Sequence, residues 1–268
     1  MNSVSKNLNS NTTYKLLYFL VLVLFLRVDL VFENNTPTGG DMGAHIVAID
    51  TFIKEFIPNF QINGWSNDWF SGYPLYYFYF PLPAIITFFF NLIFPFGVAF
   101  KIMVVMSMIL VVYSIEKLMR NTPNQISIFG ATAGLFYVFT ESFTIYGGNL
   151  ASTLAGQFSF AYSLAFANLS IFYLLKSNNN FRFPISSIFL ASCLLSHLIP
   201  FIIYSPIYAF YWLSRKQNFN QKILSISIFL ALVSRWSASL IMNLEYTCLL
   251  YTSPSPRDSC ASRMPSSA

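Results

Sequence analysis

Residues 37–74 read PTGGDMGAHIVAIDTFIKEFIPNFQINGWSNDWFSGYP, and the contrast between this stretch and its surroundings decides the fold class. It carries Asp41, His45, Asp50 and Asp68, and two of the chain's four tryptophans, Trp65 and Trp69. Long apolar runs flank it on both sides. At about 100° per residue, a helix over 41–56 puts Asp41, His45, Ile49, Phe52 and Phe56 on one face. Asp50 and Lys54 fall on the opposite face as an i,i+4 ion pair. Ile57-Pro58 ends the helix, because proline disfavours helical backbone at the residue before it. Such an amphipathic helix is expected to lie on a membrane with its apolar side down. Asp41 and His45 then sit in line with the buried side, where a merely solvated charge has no reason to be.

The rest of the composition explains why a membrane is invoked. The 268-residue chain is 55% hydrophobic, 19% aromatic and only 9% charged, with a mean hydropathy of +0.56. Soluble domains carry roughly 25% charged residues, so this chain could not cover a water-facing surface. The expected fold class is all-α: a polytopic transmembrane bundle of about six to eight hydrophobic helices. A large first external loop, residues 33–75, carries the amphipathic juxtamembrane helix. The bilayer is the expected partner and the cell membrane the expected location. The net charge of +5 comes from scattered basic residues between apolar segments, the pattern of the positive-inside rule. Nucleic-acid binding would need them gathered on one face, so it is not expected. Cys193, Cys248 and Cys260 are too few and too oddly spaced for a disulfide framework or a zinc site.

Taken in order, residues 1–13 are polar, Asn/Ser-rich and expected to be disordered. Tyr14–Phe32 runs apolar for about 19 residues, enough to span a bilayer. Lys15 at its start favours a cytoplasmic N-terminus. A retained anchor fits better than a signal peptide, since no small-residue cleavage site follows. Further hydrophobic segments cover 76–96, 98–119, 126–140, 158–175, 184–213 and 222–242. The 184–213 segment would be roughly 45 Å long as one helix, and Ser196-His-Leu-Ile-Pro200 is expected to break or kink it. If 76–96 does not cross, every basic turn falls inside, and Asp41, Glu141 and His197 face outside together. That arrangement is the expected one. The transmembrane domain is therefore placed at 14–242. From about Cys248 the chain turns Ser/Pro-rich, CLLYTSPSPRDSCASRMPSSA. This tail resembles translated sequencing-adapter read-through, so 243–268 is expected to be non-native and the chain an N-terminal fragment.

Several motifs bear chemistry. Asp41-x-x-x-His45 puts a carboxylate and an imidazole one helical turn apart, a spacing that suits a general base with its partner or two ligands of one divalent ion. A plain helix N-terminus with a packed histidine has the same pattern. Trp65, Asp68, Trp69 and Tyr73 offer flat aromatic faces beside polar groups, suited to a sugar ring or a lipid headgroup. An interfacial aromatic belt looks the same. Glu141 and Asn149 flank a Gly-Gly turn. His197 precedes Pro200 inside an apolar run, and ionisable groups at membrane depth point to function.

PTGGDMGAH, GWSNDWFSGYP, SFTIYGGNLASTLAGQFSF and SHLIP, in that order, resemble the bacterial polytopic membrane proteins of the "6-pyruvoyl-tetrahydropterin synthase-related" family. The likeness covers about residues 36–200. The soluble pterin synthase uses three histidines on zinc, and with only His45 and His197 this chain cannot repeat that chemistry. A broader likeness is to GT-C glycosyltransferases, which carry an acidic residue in the first external loop and take sugars from polyprenyl-phosphate donors. That resemblance implies Asp41 as general base or metal ligand, with Glu141 as a second acidic site. It further implies His45 and His197 at the donor phosphate, and Trp65, Trp69 and Tyr73 along a lipid-linked sugar. The chain lacks a double-acid motif at Asp41. Two other classes stay open: a transporter or flippase, which should show inverted repeats, and a non-catalytic envelope scaffold, which should leave the polar residues scattered.

Overall fold

The computed structural model describes residues 16–68, 72–120, 127–141, 147–176 and 182–244. The segments expected to be disordered or non-native lie outside these residues, apart from 243–244, and so does Trp69. Helix α1 covers Leu16–Phe25 and α2 covers Val28–Val31. Helix α3, Met42–Thr51, runs on through a π turn at Phe52–Phe56 and a 3-10 turn at Ile57–Asn59. Strands β1, Gly64–Ser66, and β2, Tyr73–Leu75, pair antiparallel with Trp65 opposite Pro74. Then follow α4 (Leu82–Asn91), α5 (Phe96–Met119) and α6 (Ser127–Val138). A short α7 (Leu150–Ser152) passes through a π turn at Thr153–Gln157 into α8 (Phe158–Leu175). Helices α9 (Arg182–Ser196), α10 (Leu198–Ser214) and α11 (Phe219–Met242) complete the bundle.

Among the described residues, α5, the α7–α8 stretch Leu150–Leu175 and α11 are long and apolar enough to cross a membrane. Helix α4 is not. Its ten residues reach about 15 Å, half of a hydrocarbon core of about 30 Å. A break on its N-terminal side is written in Pro81 and Pro83. Helix α5 starts where the loop starts: a side chain at Gly97 would run into the Asn35 carbonyl. Lys101 Nζ donates to the carbonyls of Leu30 (2.7 Å) and Glu33 (2.5 Å) and to Asn35 Oδ1 (2.7 Å). The bundle therefore has a loop end and an opposite end. Basic residues Lys117, Arg120, Lys176, Arg182 and Arg215 close the helices at the opposite end.

Three expectations are corrected by the packing. The apolar run 14–32 is not one helix. Arg27 takes a left-handed backbone (φ 47°), which folds its guanidinium onto Asp29 at 2.8 Å, both side chains exposed. The second correction concerns the helix at 41–56. Its predicted apolar face exists, with Ile49, Phe52 and Phe56 buried. Protein rather than lipid covers it, because Phe52 and Phe56 share a core with Tyr76, Ala84, Phe100, Met103, Phe158 and Tyr162. Third, a small hairpin stands inside a loop expected to be only turns and helix.

Helix α8 is the axis. It packs on α5, α9 and α10. Its buried face is rich in small residues, Ala161, Ser163, Ala165, Ala167 and Ser170, which let helices approach closely. Some buried polar groups are satisfied across helices. Asn168 Nδ2 donates to Ser114 Oγ (3.1 Å) and Asn168 Oδ1 accepts from Tyr204 (3.0 Å), joining α5, α8 and α10. Helices α9 and α10 separate at His197, whose backbone is extended (φ −169°, ψ 139°) and whose Nδ1 accepts from the Ile199 amide at 3.2 Å. The expected break thus makes two helices, with Pro200 in the first turn of α10, where no amide donor is needed.

Helix α6 meets α5 at Gly134, where an added Cβ would lie 2.9 Å from Val112 Cα. Gly134→Leu should therefore cost about 1–3 kcal/mol of stability. Thermal unfolding of the detergent-purified chain checks this: a lowered midpoint is expected, and an unchanged one would show that α5 and α6 do not pack there.

Candidate functional site

The site forms where the loop meets the start of α8. Gly39 and Gly40 both have positive φ. At Gly40 no side chain would fit, because its Cβ would strike the Ala155 carbonyl. The close approach lets the Asp41 amide donate to that same carbonyl at 2.8 Å. On the other side of the contact, Gly156 (φ 112°) interrupts the π turn that leads into α8. A Cβ there would come within 2.9 Å of Asp41 Cβ and 3.2 Å of His45 Cδ2. Only glycine combines that backbone with that contact. Asp41 and His45 therefore face the bare backbone of Gly156, one helical turn apart, as their spacing predicts.

Asp41 is exposed at the N-terminal end of α3 and makes no side-chain capping bond. His45 is half-buried. Its ring stacks edge-on against Phe158 (4.8 Å between centroids) and lies 5.6 Å from Tyr79. Burial holds the imidazole below its ordinary range, against opposing pulls from the Asp41 carboxylate and the Gly156 carbonyl. Burial likewise raises the Tyr79 phenol, which also feels Asp41 and Tyr73. Tyr73 and Tyr79 pack against the same core. Ser159 lies beside the Tyr79 hydroxyl. Its own Oγ, like Thr153 Oγ1, is buried with no hydrogen-bond partner among the described residues. Two unsatisfied hydroxyls a few residues either side of Gly156 are groups that a bound molecule or water could complete.

His197 reaches the same end by an aromatic path. Its ring lies 5.2 Å from Phe80 and 5.5 Å from Phe160. Phe80 neighbours Tyr79 (5.5 Å), and Phe160 stands two residues beyond Phe158 on α8. The two imidazoles therefore bracket one aromatic row, Tyr79 and Phe80. Ser163 Oγ holds the break in place, 2.8 Å from the Cys193 carbonyl and 2.9 Å from that of His197.

Other expected residues stand apart. Asp68 accepts from Thr51 Oγ1 at 3.0 Å, and Thr51 lies at the far end of α3 from Asp41. Trp65 is exposed and lines a separate aromatic cleft of about 460 Å³ with Pro74, Tyr77, Phe78 and Asn243. Asn149 is buried and caps α7, its Oδ1 accepting from the Ser152 amide at 2.9 Å. Glu141 is exposed after α6, and among the described residues no contact brings it to Asp41. No group of three or more His, Cys, Asp or Glu side chains able to hold a metal ion occurs among the described residues. Asp41 and His45 alone would have to hold the divalent ion considered from their spacing.

Sequence reasoning passed over Tyr79, Gly156, Thr153 and Ser159. Tyr79 is hidden in the aromatic run YYFYFP, where one hydroxyl among rings carries no periodic signal. Gly156 had a signal, as a lone glycine between small polar residues just before a helix. No protein-family model, curated protein or solved structure matches this chain.

Since folding favours neutral His45, its contribution to stability is fully present above the ordinary value of 6.5. It is lost as pH falls from there through the lower folded-state value. Unfolding midpoints measured from neutral to mildly acidic pH should drop more steeply for the wild type than for His45→Gln. Parallel curves would mean that His45 is not buried as described.

Proposed function

We propose that the chain is a multi-pass protein of the cell membrane whose loop end carries a glycosyl-transfer centre of the GT-C type. The supporting observation is the exposed Asp41 carboxylate beside a half-buried imidazole and two unpartnered hydroxyls, on an apolar bundle. In this reading Asp41 takes the proton of an acceptor hydroxyl as that oxygen bonds to the sugar's anomeric carbon. The bond from that carbon to the donor phosphate breaks, and its electron pair leaves with the lipid-linked phosphate. His45 and His197, on either side of the aromatic row, hold the donor phosphate.

Membrane vesicles carrying the full-length protein and a polyprenyl-phosphate-linked sugar test this reading. Asp41→Asn keeps the shape and removes the base, so transfer should fall at least about 100-fold with expression unchanged. Transfer at the wild-type rate would remove the enzyme reading and leave a transporter or scaffold role for the same membrane bundle.

A further inference from the structure

The end of the bundle opposite Asp41 has its own chemistry, independent of the glycosyl-transfer reading. Five cations meet there from the ends of four helices: Lys117 in the last turn of α5 and Arg120 just after it, Lys176 after α8, Arg182 opening α9 and Arg215 after α10. They are held close. Arg215 Nη2 donates to the Leu175 carbonyl at 2.6 Å and Arg182 Nη1 to the Lys176 carbonyl at 3.5 Å. Lys117 Nζ lies 5.0 Å from the Tyr113 ring and 6.0 Å from that of Phe172, while Lys176 Nζ lies 5.1 Å from the same Phe172 ring. Two ammonium groups thus share one aromatic ring. Burial, with the charges of Arg120, Arg182 and Lys117, pulls Lys176 below the usual lysine range.

One carboxylate faces this cluster, Glu116, and Arg120 already pairs with it at 2.5 Å. The connecting stretches 121–126 and 177–181 contain no Asp or Glu. Lys117, Lys176 and Arg182 make no ion pair among the described residues. Charge bias alone orients a membrane protein and needs only scattered loop cations. Gathering them on packed helix ends adds repulsion that an anion would relieve.

The place of the cluster says which anion. Tyr113, the ring under Lys117, also lines an apolar groove of about 220 Å³ between α1, α5 and α6, with Tyr18, Leu22, Ile109 and Val112. The groove takes a hydrocarbon chain and the cluster a phosphate, a combination that free phosphate does not use. Basic pockets between transmembrane helices hold phospholipid headgroups in this way. We propose that Lys117 and Lys176 bind the phosphate of an anionic phospholipid, with an acyl chain along the groove at Tyr113.

The test uses the full chain in phosphatidylcholine nanodiscs containing a minor share of phosphatidylglycerol. Spin-labelled lipids report the fraction of each held at the protein. The wild type should prefer phosphatidylglycerol, and Lys117→Gln/Lys176→Gln should weaken that preference roughly tenfold or more. The charge-matched control Lys216→Gln/Lys222→Gln should keep it, and added inorganic phosphate should not displace the lipid. Each lysine is also replaced singly, so that a pair that fails to fold leaves the singles to decide. No preference in the wild type overturns the proposal. So does an equal loss in the control, which would mean diffuse surface charge, or displacement by inorganic phosphate, which would mean a free-phosphate site.

Discussion

The contact on which the site depends is backbone against backbone. The loop before α3 and the π turn before α8 touch through two glycines, and the Asp41 amide is spent on the Ala155 carbonyl. A π turn leaves the regular helical hydrogen-bond ladder, and such turns cluster at functional positions. Here the irregular backbone puts Thr153 and Ser159 into the interior without partners. In a chain this poor in polar groups, unsatisfied hydroxyls cost stability unless something completes them. The strain at Gly156 and the unmet hydroxyls lie within one short segment, directly under Asp41 and His45.

Packing explains why that contact stays in register. Helix α3 presents Ile49, Phe52 and Phe56 to the tops of α4, α5 and α8, so the loop is bolted into the bundle's core and does not float on lipid. On the other side, α10 and α11 close over residues 79–80. Trp236 donates through Nε1 to the Tyr79 carbonyl at 2.8 Å and stacks 5.4 Å from Phe80. Arg235, a cation inside the apolar helix α11, reaches the Phe60 carbonyl at 2.7 Å. Its charge is used to hold the loop end together. The same row of rings passes from His45 to His197, so residues far apart in sequence share one environment.

What was legible in the chain follows from which forces act locally. The apolar face of Ile49, Phe52 and Phe56 is a matter of period, and the structure buries it with His45 half-buried, but Asp41 is exposed at the N-cap instead of lying on the buried side. The Asp50–Lys54 pair forms at 2.7 Å. The break at His197 was visible from Pro200 and from a run too long for one span. Tertiary packing decided the rest. Period alone cannot tell whether an apolar face meets lipid or protein. Arg27 reads as a snorkelling charge until its left-handed backbone pairs it with Asp29. Asn149 flanks a Gly-Gly turn in the sequence, and only the fold shows it capping α7 at the Ser152 amide. Tyr79 gains meaning only once α8 brings Ser159 beside it.

The central claim is that Asp41 and His197 share one end of the bundle and the lysine cluster occupies the other. Single-cysteine variants decide it, made after Cys193, Cys248 and Cys260 are each replaced by serine. In sealed vesicles, Asp41→Cys and His197→Cys should react with a membrane-impermeant maleimide from one side, and Lys117→Cys from the other. Reaction of the first two from opposite sides would contradict the account.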